Sequence, residues 1–281
     1  QTVNHAVVID ASKHMTRILE LDVEGRRCLV EPGIVLDELN RQLKPHGLWF
    51  PVDVSTSSRA TIGGMAGNNS CGGRSIRYGM MRDNVTAIDA ILSDGSTARF
   101  GDVASTSPSG LLKELQPRLL AMGETHGADI LDGFPKVLRR VGGYNVDALI
   151  PDAMAMRPGG LAGDGINLSH LLVGSEGTLA YSTAIELKLW PLPAKKIMGI
   201  CHFPTFYQAM DAAQHLVTLD PVAVELVDDT MIELARSIPI FQPTVEEAVR
   251  GNPAALLLVE FAEEDMVENE RRLRQLHEMM G

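Results

Sequence analysis

Residues 61–79 read TIGGMAGNNSCGGRSIRYG, a stretch in which six of nineteen residues are glycine. This content is roughly threefold above the average of the chain. Glycine permits positive φ angles and close approach of the backbone to another group, so dense glycine in a folded domain indicates loops pressed against a ligand. Composition alone leaves one alternative open, an ordinary surface loop with turn glycines.

Neutral side chains that can donate hydrogen bonds accompany these glycines: Ser55, Ser58, Thr61, Asn68 and Ser70. Consecutive backbone N–H groups in a glycine-rich turn can form a concave anion site. Because few cationic side chains lie nearby in the sequence, the dipoles of these N–H groups would supply most of the binding of a phosphate group. Residues 159–177 are equally rich in glycine, with Gly159, Gly160, Gly163, Gly165, Gly174 and Gly177.

Overall composition excludes several classes of protein. The chain has 281 residues, 45% of them hydrophobic, with 25 basic and 36 acidic residues and a formal charge of −11. These values lie in the range of soluble globular proteins and exclude disordered, collagen-like and disulfide-scaffold chains. The acidic balance argues against a nucleic-acid partner, because phosphate backbones select basic surfaces. No stretch approaches the ~20 apolar residues of a transmembrane helix.

Cysteine and histidine spacing predicts no metal site in this chain. Cys28, Cys71 and Cys201 lie far apart, and there is no CxxC pair to hold zinc or an iron–sulfur cluster. The eight histidines are scattered and form no His-x-x-x-His pair. An odd number of cysteines is typical of a reducing compartment, so we predict a cytoplasmic protein, with peripheral attachment to the inner membrane as the variant.

The remaining pattern is a mixture of helices and strands with a break at Trp190–Pro193, where two prolines prevent ordinary strand pairing. Before the break we predict strands at Val7–Asp10, Arg27–Glu31 and Leu179–Leu189, a hairpin of Thr86–Leu92 and Thr97–Phe100, and helices at Gly33–His46 and Leu111–Met122, the latter capped by Ser109. After it we predict strands at Ile197–Phe203, Ala223–Val227 and Ala255–Phe261, and helices at Thr205–Leu219, Thr230–Ser237, Thr244–Arg250 and Glu264–Met280.

Four segments in order resemble the vanillyl-alcohol-oxidase-type (PCMH-type) flavoproteins. They are TIGG with its asparagine-rich turn, RYG followed by Asp83-Asn84-Val85, Gly143-Tyr144-Asn145-Val146, and Leu171–Leu179, which contains GSEGTL with Ala180 in place of a final glycine. Within that superfamily the chain is most similar to the FAD-linked 2-hydroxy-acid dehydrogenases: glycolate oxidase flavoprotein subunit, D-lactate dehydrogenase and D-2-hydroxyglutarate dehydrogenase.

The resemblance implies an α+β fold in which two α+β subdomains hold an extended FAD, followed by part of an α+β cap domain. It places the FAD-binding domain at residues 1–190 and the N-terminal part of the substrate cap at 191–281. The residues that it implies for non-covalent FAD binding are Ser55, Ser58, Thr61, Ile62, Gly63, Gly64, Asn68, Asn69, Ser70, Gly72, Gly73, Gly174, Glu176, Gly177 and Leu179.

The resemblance also implies an activity, the oxidation of a small 2-hydroxy acid by hydride transfer to flavin N5. The electrons would pass to a quinone, an iron–sulfur subunit or an electron-transfer flavoprotein. Two alternatives stay open, a flavin-binding module of a larger assembly without its own catalysis and a flavin oxidase of the alditol or aldonolactone type.

The same resemblance indicates that the chain is a fragment. The family's first phosphate loop would precede Gln1, and its substrate arginine, metal-binding histidines and catalytic histidine would follow Gly281, so no catalytic residue is assigned here. We therefore expect this fragment by itself to be inactive and to be isolated mostly without FAD.

Overall fold

The computed structural model describes residues 8–151 and 165–280. The chain divides into two units: the first comprises Gln1–Gly72 and Tyr78–Leu192, and the second comprises Gly73–Arg77 and Pro193–Gly281. The short segment Gly73–Arg77 thus belongs with the second unit although it lies early in the sequence, which the sequence pattern did not predict. The assignment of these units as FAD-binding domain and cap stays a prediction.

Antiparallel strands form the centre of the first unit. Its described strands are β1 Ile18–Asp22, β2 Arg27–Val30, β3 Leu48–Trp49, β4 Val85–Ile91, β5 Thr97–Phe100, β6 Tyr181–Lys188 and β7 Trp190–Pro191. Five of them form one sheet in the order β1-β2-β6-β4-β5, and β3 pairs with β7. The late strand β6 lies between β2 and β4, so residues far apart in sequence are neighbours at the centre of the sheet.

The helices before Pro193 are α1 Leu36–Leu43, α2 Ile62–Asn68, α3 Ser75–Tyr78, α4 Met81–Asn84, α5 Leu112–Gly133 and α6 Ser169–Leu172. In α1 the buried residues Leu36, Leu39 and Leu43 recur at helical spacing, as predicted. A 3-10 turn follows, and Gly47 ends it with a φ of 68°. Glycine adopts this left-handed conformation at little cost, because it has no Cβ.

The predicted hairpin is confirmed by β4 and β5. Their connection places Gly95 at a φ of 82°, and the carboxylate of Asp94 accepts a hydrogen bond from the Ser96 amide at 2.9 Å. Asp-Gly supplies both the local hydrogen bond and the positive φ that such a turn requires. The local sequence is therefore sufficient to specify this connection.

Four local predictions in the first unit are wrong. Strand pairing is not prevented at Trp190 and Pro191, which form β7 and pair antiparallel with Trp49 and Leu48 of β3. Val8–Asp10 forms no strand, because the Asp10 side chain instead caps a 3-10 turn at Ala11–Lys13; Val7 lies outside the described residues. Ser109 does not cap α5, since its hydroxyl donates to the Thr97 carbonyl at 3.0 Å, and α5 continues to Gly133. Part of the predicted glycine-rich loop is the helix α2. Gly159, Gly160 and Gly163 lie outside the described residues.

The second unit contains the strand and helix order that the sequence predicts. Its strands are β8 Ile197–Phe203, β9 Ala223–Asp228 and β10 Ala255–Phe261, and its helices are α7 Phe206–Leu216, α8 Asp229–Ser237, α9 Gln242–Ala248 and α10 Met266–Met280. The strands pair antiparallel in the order β8-β10-β9. Buried residues of β10, among them Leu257, Val259 and Phe261, form a core with α7 and α10.

Each unit has its own hydrophobic core. This is the physical basis of the division, because each set of elements buries its apolar faces against itself. Among residues 8–151 and 165–280, no helix combines the length and apolar character needed to cross a bilayer.

Candidate cofactor-binding site

A cavity of about 350 Å³ lies in the first unit. One side is formed by α2 and the residue before it, and the other side by the end of α6, the segment that follows it and the start of β6. The residues on these two sides are Thr61, Gly63, Gly64, Ala66 and Gly67, and Leu172, Ser175, Gly177, Ala180, Tyr181 and Ser182. Pro32 and residues 9–12 complete the lining. Its volume lies in the range of small-molecule sites.

The helix α2 forms although three of its seven residues are glycine. Thr61 caps it, since the Thr61 hydroxyl accepts a hydrogen bond from the Gly64 amide at 3.3 Å. Ile62, Met65 and Ala66 are buried and attach one face of the helix to the core. The burial of this face offsets the ~1 kcal/mol that each glycine costs in a helix. Gly64 and Gly67 lie three residues apart and both line the cavity.

Glycine occupies its three positions in α2 for different physical reasons. A Cβ at Gly63 would come within 2.6 Å of the Pro32 Cβ and 2.9 Å of its carbonyl oxygen, so Gly63 is required by packing within the chain. At Gly64 the nearest atom would be the Thr61 hydroxyl oxygen at 3.2 Å, and at Gly67 it would be the Glu176 Cα at 3.9 Å. The Cα surfaces of Gly64 and Gly67 are therefore bare towards the cavity, and side chains there would fill it.

Backbone hydrogen bonds attach the second glycine-rich stretch to α2. The Gly174 amide donates to the Ala66 carbonyl at 2.9 Å, and the Glu176 amide donates to the Gly67 carbonyl at 2.8 Å. Gly174, Glu176 and Gly177 all have positive φ angles, at 85°, 53° and 72°. This left-handed backbone turns the segment around the end of α2, so the two stretches form opposite sides of one cavity.

The amide groups at the start of α2 are already used. The Ile62 amide donates to Ile34, the Gly63 amide to Pro32 at 2.7 Å and the Gly64 amide to Thr61. The anion nest suggested by the glycine pattern is therefore not formed by these three groups. What this end of α2 offers a ligand is close approach to its Cα surface.

The structure separates the predicted site residues into groups. Thr61, Gly63, Gly64 and Gly177 line the cavity, Ile62 anchors α2 in the core, and Gly174 and Glu176 bond to α2. Among the described residues, the cavity lining does not include the other predicted residues: Ser55, Ser58, Asn68, Asn69, Ser70, Gly72, Gly73 and Leu179.

Packing explains one glycine outside the cavity lining. A Cβ at Gly72 would collide with the backbone oxygen of Asp53, whereas a Cβ at Gly73 would meet the flexible end of the Glu225 side chain within the second unit. Sequence reasoning missed Gly67 and Ser175 as lining residues. Gly67 could have been found from its spacing to Gly64, had Thr61 been recognised as the cap of a helix.

A buried ionic cluster of Arg82, Arg140 and Asp147 lies in the first unit. Arg82 is fully buried, and its guanidinium donates to both carboxylate oxygens of Asp147 at 2.8 and 3.0 Å. Arg140 also donates to Asp147. Burial opposes ionisation of Asp147, but the charge of Arg82 and the hydrogen bonds from both arginines outweigh it and lower the pKa of this carboxyl. Asp147 is therefore a carboxylate at neutral pH.

No group of three or more His, Cys, Asp or Glu side chains suited to a metal ion occurs among the residues that the structure describes. The bare glycine surfaces of α2 and the facing turn instead fit a ligand that approaches the backbone closely. Dinucleotide cofactors such as FAD have this requirement at their phosphates. Thr61, Gly64, Gly67, Ser175 and Gly177 are the residues that would hold such a group.

Family models match both parts of the chain. Residues 1–101 match an FAD binding domain, and residues 192–281 match the C-terminal domain of FAD linked oxidases. The first match contains α2 and one side of the cavity. The second lies almost entirely in the second unit.

Curated relatives are similar over most of this chain. A D-2-hydroxyglutarate dehydrogenase from Pantoea ananatis is 33% identical over 98% of this chain and 27% of the relative. The protein of that name from Escherichia coli is 32% identical over 94% of this chain and 26% of the relative. Glycolate oxidase subunit GlcD from Bacillus subtilis is 26% identical over 88% and 40%. The chain spans about a quarter of the length of the two dehydrogenases.

Solved structures show the same fold. Two structures of alkyldihydroxyacetonephosphate synthase superpose with TM-scores of 0.64 and 0.63, at 18% identity. They cover 96% and 95% of this chain, and 40% of each synthase chain is matched. At this identity the likeness concerns the fold alone. The two domain matches show an FAD binding domain and the C-terminal domain of FAD linked oxidases in this chain, and they indicate FAD as its cofactor.

Proposed function

We propose that the full-length protein containing this chain oxidises a small 2-hydroxy acid with FAD. The observation that carries the cofactor part is the bare surface of Gly64 and Gly67 at the cavity, which leaves room for a ligand to approach the backbone of α2. The substrate class is supported by relatives named D-2-hydroxyglutarate dehydrogenase, D-lactate dehydrogenase and glycolate oxidase subunit.

The residues of this chain have a binding role in that reaction. FAD, when bound, supplies the flavin that accepts a hydride from the carbon bearing the substrate hydroxyl. Gly64 and Gly67 admit the cofactor to the backbone of α2, while Thr61 and Ser175 line the cavity beside them. The turn from Gly174 to Gly177 forms the opposite side. These groups orient the cofactor; none of them is assigned as an acid or base.

The proposal extends to partners and location. The substrate is D-2-hydroxyglutarate, D-lactate or glycolate, and the first is preferred because four curated relatives of that name are 31–33% identical to this chain. A quinone, an iron–sulfur subunit or an electron-transfer flavoprotein would accept the electrons in the cytoplasm or at the inner membrane surface. Residues 191–281 would belong to the substrate cap.

The test uses the purified full-length protein. We expect it to carry flavin, and we expect anaerobic addition of one of the three hydroxy acids to bleach the oxidised flavin absorption band. Reduction by an alditol or aldonolactone but by no hydroxy acid would contradict the substrate class. Flavin that no such substrate reduces would indicate a binding module, and a protein that does not bind FAD would overturn the proposal.

A further inference from the structure

Asn145 occupies a buried position behind the turn that forms one side of the cavity. It is 5% exposed. Its amide nitrogen donates to the Val173 carbonyl at 2.7 Å and to the His170 carbonyl at 3.2 Å. Its amide oxygen accepts from the Arg82 guanidinium at 3.2 Å. Both hydrogens and the oxygen of one side chain are thus engaged, which only a carboxamide of this length can satisfy.

Arg82 connects Asn145 to the other side of the cavity. Its guanidinium is held by Asp147 and donates to Asn145, while its backbone amide donates to the side-chain oxygen of Asn69 at 3.0 Å. Asn69 ends α2 in a left-handed conformation with a φ of 52°. A single buried arginine therefore fixes both the end of α2 and the side chain that holds residues 170–173.

Val173, whose carbonyl accepts the hydrogen bond from Asn145, immediately precedes in sequence the turn that forms one wall of the cavity. Gly174 follows Val173, and its amide donates to Ala66 of α2. A Cβ at Gly174 would lie 3.3 Å from the Asn69 Cβ and 3.4 Å from the Asn145 amide nitrogen, so the three residues are closely packed. A displacement of Val173 would consequently move Ser175 and Gly177, which line the cavity.

We propose that Asn145 is a positioning residue for the cofactor cavity: it sets the distance between α2 and the turn at 174–177. The inference rests on the proposed function in one respect, that this cavity holds FAD. Asn145 is not one of the described residues that line the cavity, so its effect on the cofactor is transmitted through Val173 and Gly174.

Asn145→Asp tests this role selectively. The substitution keeps the oxygen that accepts from Arg82 but replaces the donating nitrogen by an oxygen facing the Val173 and His170 carbonyls. Two favourable bonds become oxygen–oxygen contacts, which the chain relieves by moving the turn. The altered spacing should weaken FAD binding beyond any loss of general stability.

Asn84→Asp is the matched control. Asn84 is fully buried in the same unit, and its amide nitrogen also donates to two backbone carbonyls, those of Tyr78 and Met80 at 2.8 and 2.9 Å. Its oxygen also accepts one bond, from the Trp190 indole at 3.0 Å. The chemical change is the same, but Asn84 holds no part of the cavity lining.

The experiment titrates the full-length apoprotein with FAD, following flavin fluorescence, and measures the melting temperature of each apoprotein. We expect both variants to melt at lower temperature, Asn145→Asp to raise the Kd for FAD roughly tenfold or more, and Asn84→Asp to leave it within about twofold. If the charged variant does not fold, Asn145→Ala and Asn84→Ala give the same comparison without a carboxylate.

Each outcome decides between the two proposals. If the wild type binds FAD and Asn145→Asp binds it equally well, or Asn84→Asp weakens binding as much, the positioning role is overturned while the proposed function stands. If the wild-type protein has no affinity for FAD, the proposed function fails, and the role of Asn145 towards this cofactor fails with it.

Discussion

The amide of Glu176 donates to the carbonyl of Gly67 at 2.8 Å, which joins two glycine-rich stretches more than a hundred residues apart. Glu176 needs a left-handed φ of 53° to make this bond. Because Gly67 of α2 has no side chain, it also leaves the cavity open. Gly67 therefore contributes its carbonyl to the structure and its bare Cα surface to the cavity lining, and these two contributions can be separated by mutation.

Gly67→Ala should stabilise the apoprotein and weaken FAD binding. Alanine at this position of α2 removes the conformational cost of glycine, a gain of about 0.5–1 kcal/mol, and the new Cβ meets only the Glu176 Cα at 3.9 Å. The same Cβ occupies space that the cofactor would use. Urea unfolding of the apoprotein and FAD titration measure the two effects, with Gly127→Ala in α5 as the control that changes stability alone. A Gly67→Ala protein with unchanged FAD affinity would remove this glycine from the site.

Adjacent glycines of α2 should respond differently to substitution. Gly63→Ala forces a Cβ against Pro32, so we expect a loss of about 1–3 kcal/mol in the free energy of unfolding of the apoprotein. Gly64→Val should instead abolish FAD binding in the full-length protein, because the side chain projects into the cavity. Flavin absorbance per polypeptide and chemical denaturation distinguish the two. Wild-type flavin content in Gly64→Val would refute the placement of the cofactor.

Asp147→Asn should be among the most destabilising single changes in the first unit. It leaves Arg82 and Arg140 in the interior without their carboxylate partner, and breaking a buried ion pair in this way costs about 3–5 kcal/mol. Asp89→Asn is the control, because the Asp89–Arg99 pair is about one-third exposed and should contribute at most about 1 kcal/mol. Equal effects in denaturant titrations would contradict the assignment of Asp147 as the central counter-charge.

Asp147 also predicts an acid-sensitive stability. Its pKa in the folded protein lies below the ordinary value of 3.8, so its contribution is fully present above that pH and is lost as the pH falls through the lowered pKa. The wild-type free energy of unfolding should therefore fall more steeply than that of Asp147→Asn as the pH is lowered below about 4. Parallel pH profiles of the two proteins would show that this carboxyl has the same pKa in both states.

Cysteine reactivity should distinguish Cys71 from the other two cysteines. Burial, with a smaller contribution from the charge of Glu186, raises the pKa of Cys28 to about 12, and burial also raises the pKa of Cys201. Cys71 is only partly buried. A thiol-specific reagent at neutral pH should label Cys71 first and the others only after unfolding. Cys71→Ser should abolish the early phase; its persistence would show that another thiol is accessible.

Local sequence determined many elements of this protein. The leucines of α1, the Asp-Gly hairpin turn and the alternation of strands and helices after Trp190 all depend on residues close together in the chain, so their patterns were sufficient to predict them. The motif order also indicated FAD-linked domains, and the two domain matches confirm them.

Only the tertiary structure decided what each glycine does. Gly63, Gly64 and Gly72 look alike in the sequence, yet Gly63 and Gly72 are required by packing against Pro32 and Asp53, while Gly64 faces the cavity. The hydrogen bonds that join Arg82, Asn145 and Asp147 could likewise not be predicted from the sequence. A glycine or a buried polar group acquires its role from the atoms packed against it, and those atoms belong to residues that only the folded chain brings near.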